Sequence, residues 1–353
     1  MVAELMELVD HVVGVDPDRD YITVGVVDAK TTGVVAQDQF PATAVGYRAA
    51  IEFADAYSQA TERAWAIEGS ASYGRGLSGA LTAAGEWVIE FDRPTSRTKE
   101  GAKSDRLDAV RAAREVLGRT RWNQPRTHLG PREAIRVHAS ARDGAVRART
   151  AAINELKALI VTVDETIRGE LRGLSTTSQV ARCARFRDRA NSGIEQRCTR
   201  TTMRLLAQRI HHLDTEIKHH DQALKTLLDS AAPQLLTERG VGHVTAAAIY
   251  IAWSHPGRCR HEAAFARLAG TAPIQATSGQ NQTRHRLSRG GDRQLNRALY
   301  HIAITRKRCD PDTKTYIARR VAEGKTEREA LRCVKRYLAR HLWRILEHPP
   351  TSP

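Results

Sequence analysis

Short apolar runs rich in valine and isoleucine, separated by turn-forming residues, dominate residues 10 to 91. Runs of this kind predict β-strands, and their sequences are HVVGVD, DYITVGVVD, TGVVAQDQF, RAWAIEGS and GEWVIEF. Between the third and fourth runs, helical spacing of apolar residues predicts a helix from Thr43 to Thr61. Hairpin strands followed by alternating helices and strands predict an α/β layered domain.

The apolar pattern becomes helical from Lys103 onward. The segment KSDRLDAVRAAREVL is predicted to begin a helix after Ser104, because serine favours the N-cap position. Beyond Pro131, the segment REAIRVHASARDGAVRARTAAINELKALIVTVDETI predicts one long helix. The stretch from Arg172 to Gly193 matches no regular pattern, and we expect a loop-rich linker or an insertion there.

A second long helix is predicted over RTTMRLLAQRIHHLDTEIKHHDQALKTLLD, with apolar residues at roughly heptad spacing. Those residues are Leu206, Ile210, Leu213, Ile217, Leu224 and Leu228. Two long helices with a break between them are typical of an antiparallel pair or of a dimerising coiled coil. An ordinary helical hairpin within one chain fits the pattern as well. Because the seam is narrow for a globular core, we expect a homo-oligomer, either a dimer or a dimer of dimers.

Together these patterns predict a fold of class α/β plus α. We expect an α/β domain over residues 1–125, a long helical, coiled-coil-like region over 126–232, and a mostly helical domain over 233–353. A length of 353 residues is enough for two or three domains that each bury a core.

Charge and cysteine content narrow the function classes. A net charge of +15 favours a polyanionic partner, above all nucleic acid, with an anionic membrane surface as the competing interpretation. No apolar run long enough to span a membrane and no signal sequence is evident, so we expect a protein without a membrane partner. Five dispersed cysteines without a Cys-x-x-Cys pair argue against a zinc ribbon or disulfide framework and favour the reducing cytoplasm.

Four carboxylates stand where a metal site can form. Asp16 and Glu68 end two predicted strands, and side chains at such strand ends converge on one crevice. Asp105 and Asp108 are three residues apart at a helix start and so share a face. Oxygen ligands suit Mg²⁺, and two such ions can clamp both oxygens of a phosphoryl transfer. Alone, the pair Asp105 and Asp108 also fits an acidic first turn favoured by the helix dipole.

Two further motifs carry candidate phosphate contacts. Gly240, Val241 and Gly242 form a turn between helical segments, which fits a helix-hairpin-helix that holds a phosphate, or a plain interhelical turn. Ser278 lies in a small polar turn followed by an arginine-rich segment. From the residues alone, Ser278 is a turn or cap serine in preference to a nucleophile, because no histidine and aspartate partners are fixed nearby. The arginines proposed to contact nucleic acid are Arg284, Arg286, Arg289 and Arg293.

Six motifs in order resemble the DEDD-type transposases of the bacterial insertion sequence one-hundred-and-ten family, some of whose members are directed by a structured bridge RNA. The motifs are VVGVD, AIEGSASYG, KSDRLDA, GVGHVTAAAI, LAGTAPIQATSG and RLSRGGDRQLNRAL. The resemblance covers roughly residues 10 to 120 and 235 to 310. It implies a ribonuclease-H/RuvC-like first domain, a C-terminal transposase domain, DNA and a guide RNA as partners, and action in the bacterial nucleoid.

The resemblance also implies roles for particular residues. The metal-binding Asp-Glu-Asp-Asp set falls on Asp16, Glu68, Asp105 and Asp108, and the nucleophilic serine that forms a phosphoserine with DNA falls on Ser278. In the family, the serine-bearing and metal-binding domains are thought to meet between protomers. One departure is Asn296, which stands where a second arginine is common.

Three hypotheses follow from these observations. The first is a Mg²⁺-dependent DNA recombinase that uses Ser278 as its nucleophile. The second is a RuvC-like nuclease or junction resolvase in which water attacks the phosphodiester. The third is a non-catalytic nucleic-acid-binding protein with structural carboxylates. The basic tail after Lys307 fits either a backbone-binding face or a solvated charged helix.

Overall fold

The computed structural model describes residues 4–70, 72–91, 105–119, 122, 124–127, 129–187, 193–275, 285–286, 288 and 290–349. The chain divides into two compact units, residues 1–129 with 253–261, and residues 130–252 with 262–353. The predicted helical middle and the predicted C-terminal domain therefore belong to one compact unit. The division into three functional domains stays a prediction.

A five-stranded mixed sheet forms the centre of the first unit, in the order β3-β2-β1-β4-β5. Its strands are β1 (His11–Pro17), β2 (Tyr21–Asp28), β3 (Val34–Pro41), β4 (Arg63–Glu68) and β5 (Trp87–Phe91). The first three strands form an antiparallel meander, whereas β4 is parallel to β1 and β5 is parallel to β4. All five predicted strands are confirmed.

Helices cover both faces of this sheet. They are α1 (Leu5–Leu8), α2 (Ala44–Asp55), α3 (Arg75–Ala83) and α4 (Asp105–Leu117). Apolar residues of α2 and α3 pack in one core layer, and those of α1 and α4 pack in the layer on the opposite face. The helix predicted to begin at Thr43 is capped by that threonine, whose hydroxyl accepts from the Gly46 N–H at 3.2 Å, but it ends at Asp55 rather than Thr61.

A buried ion-pair network holds the amino-terminal ends of β4 and β5 together. Arg63 is 1% exposed, and its Nε donates to Glu86 at 3.0 Å while a second nitrogen donates to Asp55 at 2.7 Å. The indole N–H of Trp65 also donates to Glu86, at 2.8 Å. Because both charged groups are out of water, each depends on the other for compensation.

We expect Glu86→Gln to destabilise the protein by about 3 kcal/mol, because it leaves the buried Arg63 guanidinium short of a countercharge. Urea denaturation of the full chain measures this change in the free energy of unfolding. Glu52→Gln, at an exposed position of α2, is the matched control and should change it by less than about 0.5 kcal/mol. Equal effects of the two substitutions would contradict a stabilising role for the network.

Two long helices dominate the second unit. They are α5 (Gly130–Thr162) and α8 (Ile194–Ala231), with the shorter α6 (Glu165–Leu171) and α7 (Thr176–Ala184) between them. The long helices pack antiparallel, as shown by Arg142 bound to Asp221 at 2.5 Å and by Arg149 bound to Asp214. The heptad-like positions Ile210, Leu213, Leu224 and Leu228 of α8 are buried within this chain. The seam therefore forms an intramolecular hairpin, which was one of the two alternatives.

Two predictions about this region were wrong in detail. The long helix predicted beyond Pro131 breaks after Thr162, and the carboxylate of Asp164 caps α6 by accepting from two N–H groups. The stretch predicted to be loop-rich contains α7, which is capped by Ser175. Three apolar side chains of α7 and its end, Val180, Cys183 and Phe186, complete the core between α5 and α8. Such a short segment shows too few apolar positions for its period to be recognised.

The rest of the second unit is mostly helical, as predicted. Its elements are α9 (Pro233–Leu236), α10 (His243–Trp253), α11 (Glu262–Leu268), β6 (Ile274–Gln275), β7 (His285–Arg286), α12 (Arg293–Cys309), α13 (Pro311–Ala322) and α14 (Glu327–Glu347). Among the described residues, no helix is both long and apolar enough to cross a bilayer. All five cysteines are free thiols.

Candidate metal site and serine segment

A glycine in the middle of β1 sets how closely α4 approaches the sheet. A Cβ atom on Gly14 would lie 1.9 Å from the Ala109 carbonyl oxygen and 2.8 Å from the Ala113 nitrogen. Any larger residue would therefore push α4 away from β1. A glycine inside a predicted strand can indicate such a close approach of another backbone, but the contact of Gly14 with α4 was not predicted from the sequence.

Strand pairing places Asp16 and Glu68 side by side on the face that α4 covers. Val12 and Ala66 pack in the core layer on that face, and alternation along each strand gives the same orientation to Asp16 and Glu68. The parallel register pairs Gly14 with Ala66, so each carboxylate lies two residues beyond a paired position. Neighbouring strands are about 4.8 Å apart, so the ends of β1 and β4 lie next to each other.

Asp105 and Asp108 occupy the first turn of α4, one turn before its contact with Gly14. Asp105 is exposed, whereas Asp108 is half-buried and accepts a hydrogen bond from Arg111 at 2.9 Å. The side-chain amide of Gln37 on β3 donates to the Arg106 carbonyl at 2.8 Å, which ties this turn to the sheet. Neither Gln37 nor Arg111 was predicted from the sequence. The predicted N-cap of α4, Ser104, lies outside the described residues.

The Asp16 carboxylate lies near several other negative charges. Burial, together with the negative charges of Asp108, Asp105, Glu68 and Asp18, raises the pKa of Asp16 from 3.8 to about 6. A raised carboxylate pKa in a cleft is typical of a functional site, because removing water from like charges costs stability unless a cation binds.

The donor chemistry of this group suits a hard divalent cation. All four candidate ligands are carboxylates, which offer the oxygen atoms that Mg²⁺ prefers. In the part of the chain that the structure describes, no group of three or more His, Cys, Asp or Glu side chains is arranged to hold a metal ion. The metal site therefore stays a prediction, supported by the shared face and by the mutual repulsion of its residues.

The glycine turn at residues 240 to 242 connects α9 to α10. Gly240 has a left-handed φ of +82°, and a Cβ atom added to it would lie 3.4 Å from the Ile302 carbonyl oxygen of α12. The Gly242 N–H donates to the Thr245 hydroxyl at 3.0 Å, so this donor already has a partner. Since α9 has only four residues, the turn follows a short helix rather than the full first helix of a helix-hairpin-helix. Phosphate contact at Gly240 and Gly242 stays a prediction.

Ser278 falls between two short paired strands. Strands β6 and β7 are antiparallel, with Ile274 opposite Arg286 and Gln275 opposite His285. Ser278, Arg284 and Arg289 lie outside the described residues, as does the side chain of Arg286. Arg293 is the first residue of α12, has an exposed side chain and follows the capping residue Asp292. The roles predicted for these residues stay predictions.

Two family models match the chain, one before α6 and one after α8. A DEDD model of the IS110 type, described as Transposase, matches residues 13–163. A model described as Transposase IS116/IS110/IS902 family matches residues 232–318. The first match includes all four carboxylates, and the second includes Ser278, Arg293 and the glycine turn.

Individual relatives agree with these models. The chain is 36% identical over 100 residues to the insertion element IS110 uncharacterized 43.6 kDa protein of Streptomyces coelicolor, and 30% identical over 166 residues to the insertion element IS900 uncharacterized 42 kDa protein of Mycobacterium paratuberculosis. These matches cover 28% and 44% of this chain and 25% and 41% of those proteins.

A third relative matches over a longer region. It is a probable family 20 transposase of Pseudomonas aeruginosa, 27% identical over 253 residues, which are 70% of this chain and 73% of that protein. The order of both models along the chain, the ribonuclease-H-like mixed sheet and the helical remainder point to one assignment. The chain belongs to the IS110 family of transposases, with a DEDD domain followed by the family's C-terminal transposase domain.

Proposed function

We propose that this protein is a DNA transposase or recombinase that cuts and rejoins DNA with Mg²⁺ at the DEDD carboxylates and Ser278 as nucleophile. The observation that carries this proposal is the parallel pairing of β1 with β4, which places Asp16 and Glu68 at adjacent strand ends on the face covered by α4. Asp105 and Asp108 lie in the first turn of that helix. Both family matches support it, because each contains one half of the proposed catalytic set.

The carboxylate group supplies the charge needed for phosphoryl transfer. Bound Mg²⁺ would stabilise negative charge on the oxygens of the reacting phosphodiester. The repulsion that raises the pKa of Asp16 is relieved when a cation lies among these residues. Gly14 keeps α4 close enough to β1 for the two strand-end carboxylates and the two helix carboxylates to act together.

The proposed step at Ser278 is a displacement at phosphorus. The hydroxyl oxygen bonds to phosphorus as the bond from phosphorus to the departing DNA oxygen breaks, and the hydroxyl proton reaches that oxygen through solvent. The resulting phosphoserine diester conserves the bond energy, so another DNA hydroxyl can displace the serine and rejoin the strand. The arginines that follow Ser278 in sequence supply positive charge for the phosphate oxygens.

We propose DNA and a structured guide RNA as partners of this site. The net charge of +15 supports binding to both polyanions. If an RNA directs the enzyme, base pairing supplies the sequence specificity and the protein reads shape and backbone. Action in the bacterial nucleoid follows from the DNA substrate.

Recombination in cells tests the proposed function directly. A plasmid carrying the gene with its natural flanking DNA should yield new junctions that join the element ends, detected by sequencing across them. In a second experiment, the flanking transcribed DNA is deleted from the element and expressed from a separate plasmid. Recovery of junctions would show that its RNA is needed, whereas no recovery would show that the DNA itself is needed at the element ends. Absence of any junction, with the protein expressed and folded, would contradict the transposase proposal.

We further propose that the active form is a homo-oligomer in which the carboxylates of one protomer act with Ser278 of another. The carboxylates and Ser278 belong to different compact units, which makes such sharing possible. Exposed apolar side chains on the long helices, Val137, Val161, Ile194 and Leu205, offer surface for assembly.

Mixing two inactive variants tests this arrangement. Asp16→Asn and Ser278→Ala should each be inactive alone, yet their mixture should regain up to about a quarter of wild-type activity if dimers re-form at random. The reason is that half of the dimers are mixed and each mixed dimer holds one intact composite site. Light scattering should show the dimer or larger assembly. A mixture that stays inactive while subunits demonstrably exchange would place both groups in the same protomer.

A further inference from the structure

A basic cavity of about 330 Å³ lies beside the first turn of α12 in the second unit. The residues that define its chemistry are Asp292, Arg293, Asn296, Arg297, Tyr300 and Lys335. Its volume is many times the roughly 30 Å³ that one water molecule occupies in the liquid. The cavity therefore has room for a phosphate group with part of a nucleoside.

Lys335 of α14 enters this cavity as a half-buried cation without a countercharge. Its ammonium donates to the side-chain oxygen of Asn296 at 2.6 Å, and the Asn296 amide nitrogen donates to the Ala269 carbonyl at 2.6 Å. The second bond fixes the Asn296 oxygen towards Lys335. Burial and the nearby charge of Arg332 lower the pKa of Lys335. Within the described residues, no carboxylate forms an ion pair with Lys335, so an anion from outside the chain would stabilise it.

The remaining charges of the cavity also favour an anion. Its lining has three cationic side chains against the single carboxylate of Asp292. That carboxylate is already occupied in capping α12, because it accepts from the N–H groups of Gln294 and Leu295. Arg297 is partly neutralised by Asp143 at 3.1 Å, whereas Arg293 is exposed and has no ion pair among the residues that the structure describes.

An aromatic wall completes the cavity. Tyr300 is 46% exposed, and the Lys335 ammonium lies 5.9 Å from the centre of its ring. Cationic grooves with exposed aromatic rings bind nucleic-acid strands, because phosphates contact the cations while sugars or bases stack on the rings.

We propose that this cavity, between α12 and Lys335 of α14, binds one phosphodiester of a nucleic-acid strand, with the adjoining nucleoside against Tyr300. Lys335 and Arg293 contact the phosphate oxygens, and Asn296 orients Lys335. The inference rests on the proposed function only in taking nucleic acid as the ligand. It gives the basic C-terminal helix a specific contact rather than a general charged surface.

Equilibrium binding of the full chain in EDTA tests the proposal without any catalysis. The probes are a short single-stranded DNA, the RNA of the same sequence, and the corresponding duplex DNA. Lys335→Gln keeps a donor for Asn296 but removes the charge, and should weaken binding about tenfold near physiological salt. The plot of log K against log salt should become less steep, its negative slope shrinking in magnitude by about 0.7 to 0.9, because one phosphate contact is lost. Which probe loses most shows whether DNA or RNA occupies the cavity.

Lys157→Gln is the matched control, since it removes one exposed lysine charge from α5 without touching the cavity. Equal affinities and equal salt slopes for the two variants would overturn the proposal. Lys335→Met repeats the test, and thermal melting identifies any variant that binds poorly because it is unfolded.

Tyr300→Leu tests the aromatic contact separately. It should weaken binding of single strands several-fold more than binding of duplex DNA, because a duplex cannot offer an unstacked base. Equal losses on both probes would overturn the nucleoside contact. The binding test can fail independently of the proposed function. If Lys335→Gln binds and recombines normally, this inference alone is rejected. If binding depends on Lys335 but the wild-type protein gives no recombination, the proposed function alone is rejected.

Discussion

Ser278→Ala should abolish the covalent DNA–protein adduct while leaving nucleic-acid binding nearly unchanged. Replacing a catalytic nucleophile removes the atom that forms the new bond to phosphorus, and the expected loss of rate is about 10⁴-fold or more. Binding should persist because the hydroxyl carries no charge and contributes little to the attraction between the basic protein and its polyanion. The measurement is a denaturing gel of end-labelled DNA in Mg²⁺, followed by peptide mapping of the attached residue.

Ser230→Ala provides the matched control, because Ser230 is an exposed serine at the end of α8 and has no proposed role. This variant should form the adduct at the wild-type rate, and EDTA should prevent it in both proteins. If Ser278→Ala still cuts DNA at the normal rate and leaves free ends, water is the nucleophile. That result would favour the metal-dependent nuclease or junction resolvase over the serine recombinase.

Much of the first unit could be predicted from local pattern. Each strand of the sheet carries alternating or continuous apolar residues between turn signals, and strand-end carboxylates such as Asp16 and Glu68 are visible without a structure. Their convergence depends on the parallel pairing of β1 with β4, which are separated in sequence by two strands and a helix, so local pattern alone does not specify it. The assignment of Ser278, in contrast, came from the family resemblance and not from its own chemistry.

Contacts between distant residues could not be predicted in this way. Arg63 begins a buried strand, but nothing near it identifies Glu86, 23 residues away, as its partner. The sequence indicates only weakly that Lys335 is unusual. It lies between the apolar residues Leu331 and Leu338 on one face of an amphipathic helix, where another apolar residue is expected. Whether such a lysine is a solvated neighbour of the core or a ligand-binding group depends on what α12 places opposite it. The packing of α12 against α14 is tertiary structure, which the local sequence pattern does not specify.

Asp16→Asn should make the metal-free protein more stable while lowering DNA cleavage by at least about 10² to 10³-fold, the scale for loss of one preorganised electrostatic group. The stability gain follows from the pKa of Asp16, which is about 6 in the folded protein against an ordinary 3.8. A carboxyl with a raised pKa binds its proton more tightly in the folded state than in the unfolded state. The stability of the metal-free protein therefore falls as pH rises from about 4 to about 6, and stays lower above that range.

Asparagine removes this penalty at neutral pH. A shift of that size corresponds to about 3 kcal/mol, which we reduce to about 1 to 2 kcal/mol because Asp16 is only half-buried. Thermal melting at pH 7.5 in EDTA should show the increase, and the difference should disappear near pH 4, where the wild-type carboxyl is protonated. Adding Mg²⁺ should stabilise the wild-type protein and have little effect on the variant, because the carboxylate ligand is gone.

Asp38→Asn is the control for both measurements, since Asp38 is an exposed residue of β3, lies outside the proposed ligand set and is not among the charges that raise the pKa of Asp16. It should retain cleavage and leave the melting temperature within about a degree of the wild-type value. Lower stability of Asp16→Asn in EDTA, together with weaker nucleic-acid binding, would show that Asp16 supports the fold and not the metal. Higher stability with lost cleavage would show the opposite, namely that Asp16 serves the reaction. The carboxylates would then repel one another and destabilise the metal-free fold, and a bound cation would relieve that repulsion.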